Sequence, residues 1–161
     1  TTLISDSGVT RYRVNTEEWM MYDRKKPSYW AFEKGVYMEQ FDSIFNVEAS
    51  IKADTAYYYD KERLWKLIGN VDIQNRKGER FNTELLYWNE ATQKVYSDKF
   101  IRIQQPDRII TGHGFDSNQQ MTIYTIRNIE GIFYVDEEAS SGPPQPETKA
   151  LPDSVNKDSA K

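Results

Sequence analysis

The sequence predicts an all-β, mostly antiparallel domain, and three features carry that prediction: one stretch of unbroken apolar/polar alternation, several further strand-like runs between short polar turns, and an internal period of 28 residues. The alternation is Phe45-Asn46-Val47-Glu48-Ala49-Ser50-Ile51-Lys52-Ala53-Asp54. A period of two places Phe45, Val47, Ala49, Ile51 and Ala53 on one face of a strand, so one face is dry and the other wet. The reading recurs from Glu79 to Tyr87 through Phe81, Thr83, Leu85 and Tyr87, and less regularly over Val95–Ile103 and Met121–Ile129. Between these runs lie Asp60-Lys61-Glu62, Asn75-Arg76-Lys77-Gly78, Asn89-Glu90-Ala91-Thr92, Pro106-Asp107 and Asp116-Ser117-Asn118, all turn material. Short strands joined by short polar loops make a meander or an opened barrel.

The period links the strands. Thr55, Thr83 and Thr111 are spaced by 28 residues, as are Tyr59, Tyr87 and Phe115; Leu67, Val95 and Ile123; and Ile73, Ile101 and Ile129. Because 28 is even, equivalent positions keep their facing, and a unit of two strands and two turns stacks on the next like a rung. Helix is poorly supported. Lys61–Ile68 is too short to stand without tertiary support. Thr16–Met21 reads either as a short helix capped by Thr16, with Glu17 and Glu18 in its first turn, or as an irregular edge strand.

Composition divides the chain. All 22 aromatic residues precede Ala139, whereas residues 140–161 hold four of the six prolines and equal numbers of acidic and basic residues. Such a stretch buries too little apolar surface to offset the entropy of ordering it. Residues 1–8 are accordingly expected to be a flexible lead, 9–139 the β domain and 140–161 a disordered Pro-rich tail. A net charge of −4 with no basic cluster argues against nucleic acid or an anionic membrane surface as a partner. Cysteine is absent, which removes disulfides and thiolate metal sites. The chain contains no run of about 20 apolar residues of the kind that spans a bilayer.

Catalytic chemistry is hard to find. The single histidine, His113, lies in Thr111-Gly112-His113-Gly114 without an HxxxH, an HExxH or a cysteine pair, and reads as a strand or bend residue. Glu48 alternates with a dry face and should meet solvent; Glu79, Glu84, Asp98 and Asp107 read as surface carboxylates rather than a glycosidase pair. No catalytic residue, metal ligand or cofactor is expected. The aromatics, among them Trp19, Tyr29, Trp30, Tyr57, Tyr58, Tyr59, Trp65 and Trp88, either pack the core or line a concave apolar face for an amphiphilic ligand, with Tyr and Trp at its wet mouth.

An ordered series of motifs resembles one family. Pro27-Ser28-Tyr29-Trp30-Ala31-Phe32-Glu33-Lys34-Gly35-Val36-Tyr37-Met38-Glu39, Ala53-Asp54-Thr55-Ala56-Tyr57-Tyr58-Tyr59, Leu64-Trp65-Lys66-Leu67-Ile68-Gly69-Asn70-Val71, Asn75-Arg76-Lys77-Gly78-Glu79, Thr83-Glu84-Leu85-Leu86-Tyr87-Trp88, Tyr96-Ser97-Asp98-Lys99-Phe100 and Gly112-His113-Gly114-Phe115 are similar to the LptC family of periplasmic lipopolysaccharide-export components. The resemblance spans about Tyr12 to Val135. It implies a twisted, incompletely closed antiparallel β-jellyroll built from repeated strand pairs. It also implies a non-enzymatic role in the periplasm, tethered to the inner membrane by an N-terminal anchor absent from this chain. The implied partners are lipopolysaccharide, the inner-membrane ABC transporter that delivers it, and an LptA-like periplasmic protein that receives it. The alternative is an adaptor β domain that pairs by its edges and holds no lipid.

Parity and the 28-residue columns give the expected dry, lipid-contacting face as Ile51, Leu67, Ile73, Leu85, Val95, Ile101, Ile103 and Ile123. The expected partner edge is the C-terminal one, with Met121, Ile123, Ile129, Phe133 and Val135, since an unpaired edge strand recruits partners by β-augmentation.

Overall fold

The computed structural model describes residues 1–6 and 9–135. Twelve strands are present: β1 (Thr2–Asp6), β2 (Val9–Thr16), β3 (Met20–Tyr22), β4 (Tyr29–Phe32), β5 (Val36–Phe41), β6 (Val47–Ala53), β7 (Thr55–Tyr59), β8 (Leu64–Asn75), β9 (Arg80–Asn89), β10 (Lys94–Gln104), β11 (Arg108–Asn118) and β12 (Tyr124–Tyr134). All pairs are antiparallel, in the order β1-β2-β5-β6-β8-β9-β10-β11-β12, with β3-β4-β7 joining at β8. Among the described residues the sheet does not close into a barrel. Strand β1 occupies most of the expected flexible lead and pairs with β2. The expected tail, residues 140–161, lies outside the described residues.

The branch at β8 makes the fold a two-layered jellyroll. Leu64–Ile68 of β8 pairs with β7, whereas Asp72–Asn75 pairs with β6. Gly69 and Asn70 lie between the two halves with φ of +83° and +46°. A Cβ at residue 69 would sit 2.9 Å from Asp54 Oδ2, so both the dihedral and the space favour glycine. Register shifts recur beside this point in β9 and β10, and between Ser97 and Phe100 where β10 meets β11. Side chains satisfy backbone groups freed along this line: Thr83 Oγ1 donates to Phe100 O (2.8 Å) and Ser97 Oγ to Leu85 O (2.6 Å). The long strands fold over along the line, so Phe81 in one half packs on Phe115 in the other (centroids 5.7 Å apart) and Tyr12 of β2 packs on Trp88 (5.0 Å).

Repetition is visible, although less regular than the sequence columns. Strands β8, β10 and β12 start 30 residues apart, and β9 and β11 start 28 apart. The turns before β8, β10 and β12 contain Arg63, Gln93 and Met121, all with left-handed backbones (φ 52°, 57° and 60°). The Asn75–Gly78 turn closes as expected: Asn75 Oδ1 accepts from the backbone of Lys77 and Glu79. No helix forms over Thr16–Met21. Thr16 ends β2, and its hydroxyl donates to Gly35 O across the sheet (2.8 Å) instead of capping a helix.

The bulge line also alters which residues face inward. In β6, Ala49, Ile51 and Ala53 are buried as alternation requires, whereas Val47 at its start and Phe45 in the turn before it are exposed. In β9 the buried set changes from odd to even: Phe81 and Thr83, then Leu86 and Trp88. In β8 and β10 an additional residue at the bend keeps odd positions buried on both sides, from Leu67 to Val71 and from Ser97 to Ile101.

Candidate functional site

Residues directly opposite in an antiparallel pair share a face, so the register defines the interior as two ladders. On the first layer one ladder runs Val14, Met38, Ile51, Ile73, Phe81, Ile103, Ile110, Ile132. On the second it runs Trp30, Tyr58, Trp65, Trp88, Val95, Ser117, Tyr124. The first ladder is dry through Ile103, half-buried at Ile110 and 43% exposed at Ile132. The second passes from buried Trp65 and Val95 to half-buried Tyr124. The interior is therefore sealed at its centre and opens toward β12.

A cleft of about 560 Å³ lies at that open end. Its apolar wall includes Ile110, Tyr124, Ile126 and Ile129, and Lys77 and Arg108 stand on its polar side. The polar side is organised by one chain of hydrogen bonds. Tyr124 donates to Glu79, Gln105 Nε2 donates to the Tyr124 hydroxyl oxygen, and Arg108 Nε donates to Gln105 Oε1 (2.6 Å). Glu79 is buried and also accepts from Asn75 Nδ2 (2.9 Å), while Asn75 Nδ2 donates to Met121 O (2.8 Å). Burial first, and the bond to Glu79 second, push the Tyr124 phenol up to about 12. These contacts pin the β8–β9 turn of one layer to the β11–β12 turn of the other.

Six of the eight residues expected on the lipid-contacting face, Ile51, Leu67, Ile73, Val95, Ile101 and Ile103, lie together in the buried interior. The other two do not join them. Leu85 pairs with Ile68 on the outer face of β9, and Leu86 takes the inner position opposite Leu67. Ile123 precedes β12 and is 76% exposed. The cleft residues Ile110, Tyr124 and Ile126 were missed because they carry even numbers, and the odd-parity column did not follow the changes of register in β11.

Among the expected edge residues, Ile129 and Phe133 lie on β12, which pairs only with β11 among the described residues. Met121 and Ile123 fall in the turn before it. Met121 is 1% exposed and its carbonyl is taken by Asn75; the Ile123 N–H donates to Asn118 Oδ1. Val135 follows β12, with its N–H donated to Asp107 O (2.9 Å). Arg127 clamps β12 from outside, pairing with Asp116 (3.2 Å) and Asp98 (2.9 Å) and donating to Ser97 O (2.6 Å). His113 is an exposed β11 residue paired with Glu130. No group of three or more His, Cys, Asp or Glu side chains suited to a metal occurs among the described residues.

No helix among the described residues is long and apolar enough to cross a membrane. The search of curated proteins returns no match to this chain. A family model described as lipopolysaccharide-assembly, LptC-related, matches residues 1–133, from β1 into β12. With that match covering most of the chain on an all-β, unclosed jellyroll, the protein belongs to the LptC-related lipopolysaccharide-assembly family.

Proposed function

We propose that this domain is a non-enzymatic periplasmic carrier that accepts lipopolysaccharide from an inner-membrane ABC transporter and passes it to an LptA-like protein. It would act beside the inner membrane, held there by an N-terminal anchor. The observation that carries the reading is the pair of facing ladders, apolar except for Ser117 from the sealed interior out to the cleft at β12. Each acyl methylene moved from water into such a space contributes about 0.8 kcal/mol. Chains enter at the cleft, where Ile110, Tyr124 and Ile126 are already partly accessible, and advance as the layers part. The edges at β1 and β12, each paired on one side only among the described residues, suit end-to-end pairing with neighbouring β proteins through backbone hydrogen bonds.

One observation favours a second reading, an adaptor that pairs by its edges without lipid: Leu67, Ile73, Ile101 and Ile103 are completely buried by the protein's own side chains. Incubating delipidated protein with lipopolysaccharide, repurifying it and analysing the extract by lipid mass spectrometry separates the two. The carrier retains acylated lipid in proportion to protein. Repeated absence of lipid from folded protein supports the adaptor.

A further inference from the structure

A second cleft, of about 640 Å³, lies at the mouth between the layers toward β1 and β2. It is walled on one side by residues of β1, β2 and the β5–β6 segment, and on the other by the turns before β8, β10 and β12. Its chemistry differs from that of the interior. Arg11, Gln40, Glu48, Gln93, Gln119 and Gln120 line it, and none of these side chains makes a hydrogen bond or ion pair with another described residue. All but Gln93 are half-buried. Four amides, each able to donate and accept, thus converge on one space with their hydrogen-bonding capacity unused among the described residues.

The floor of the cleft is connected to the lipid-facing interior. Glu90 accepts from Trp65 Nε1 (2.8 Å) and Tyr58 OH (3.3 Å), with Arg63 beside it at 3.7 Å. Tyr12 packs on Trp88. Burial raises the Glu90 carboxyl above its ordinary value, against the opposing effect of its hydrogen-bond donors.

We propose that this cleft binds the saccharide portion of an amphiphilic ligand whose acyl chains occupy the space between the layers. The inference rests on the lipid-carrier reading and deepens it. A sugar hydroxyl carries one donor and two acceptor lone pairs, so vicinal hydroxyls are matched by interleaved amides, carboxylates and guanidinium groups. A simple anion is disfavoured, because Asp42, Glu48 and Glu90 outnumber Arg11 and Arg63 in the lining. An apolar peptide is disfavoured because the wall is mostly polar. The volume falls within the range of about 300–1,000 Å³ usual for small-ligand sites.

The test uses the whole 161-residue chain and the deacylated, water-soluble oligosaccharide released from lipopolysaccharide. Saturation-transfer NMR should show magnetisation passing from protein to sugar ring protons. Calorimetry should show Kd rising at least tenfold in Gln40→Ala/Gln120→Ala and staying unchanged in Gln74→Ala, an exposed glutamine on the far side of β8. Circular dichroism confirms that the double variant is folded; if it is not, Gln119→Ala alone must still weaken binding. Absence of saturation transfer to the wild type, or equal affinity in the folded variants, overturns the proposal. Acylated lipid retained without saccharide binding sinks this inference alone, whereas saccharide binding without lipid retention sinks the carrier and leaves the sugar site standing.

Discussion

Tyr124, at the start of β12 on the second layer, donates its phenolic hydrogen bond to Glu79, which closes the β8–β9 turn of the first. Glu79 is buried, so its carboxylate depends on donors from the protein, here Tyr124 and Asn75. The pair is a polar latch at the edge of an apolar cleft, and it ties the two layers together at the end where the proposed ligand enters.

Tyr124→Phe removes that donor and leaves Glu79 undersatisfied, which is expected to cost about 1–3 kcal/mol in urea unfolding. The pH dependence follows from the raised phenol. Its folded value is about 12 against 10.0 for the free group, so its contribution is complete below 10 and is lost as pH rises toward 12. Wild type should therefore lose more stability than Tyr124→Phe over that window. Parallel curves for the two proteins would mean that the phenol does not couple to folding.

Gly112 tests how closely β12 approaches β11. A Cβ there would stand 2.4 Å from Asn128 O and 2.6 Å from Ile126 Cγ2. Gly112→Ala must push β12 outward, at an expected overpacking cost of about 1–3 kcal/mol. Hydrogen exchange should accelerate in β12 and leave β5 and β6 protected; uniform acceleration would indicate that β12 is not a separable element.

Ile101 and Ile129 share a 28-residue column and occupy opposite environments, 0% and 59% exposed. Ile101→Glu places an unpaired carboxylate in the sealed interior and is expected to cost at least about 3 kcal/mol. Ile129→Glu should stay within about 0.5 kcal/mol of wild type, because the charge remains wet. Thermal melts of both variants decide the matter, and a stable Ile101→Glu protein would mean that water reaches the centre of the interior.

How much of this was legible in the sequence depended on local regularity. Ala49, Ile51 and Ala53 alternate without interruption, and their facing was readable because β6 is short and ends at Ala53, before the bend. Leu85 was misread because β9 changes facing at the bulge line, and nothing in Thr83-Glu84-Leu85-Leu86 announces a bulge. The start of β12 was misplaced because its turn uses Met121 in a left-handed conformation, where glycine or asparagine would have been a readable signal. The two-layered jellyroll itself came from the family resemblance, since a meander and a folded-over sandwich have the same strand pattern. The Glu79–Tyr124 latch joins residues 45 apart in the chain and leaves no local trace.

Removal of residues 140–161 is expected to leave the thermal midpoint nearly unchanged, since that stretch has no aromatic residue with which to join a core. A fall of more than about 5 °C, which corresponds to roughly 1 kcal/mol in a small domain, would show that the segment packs on the body.

The most direct measurement is photo-crosslinking to lipopolysaccharide from a probe at Ile126, on the inner face of β12, against one at Asn128, paired with exposed His113 on the outer face. The carrier account predicts strong crosslinking from 126 and none from 128. Crosslinking from 128 alone, or from neither position in folded protein, would contradict it.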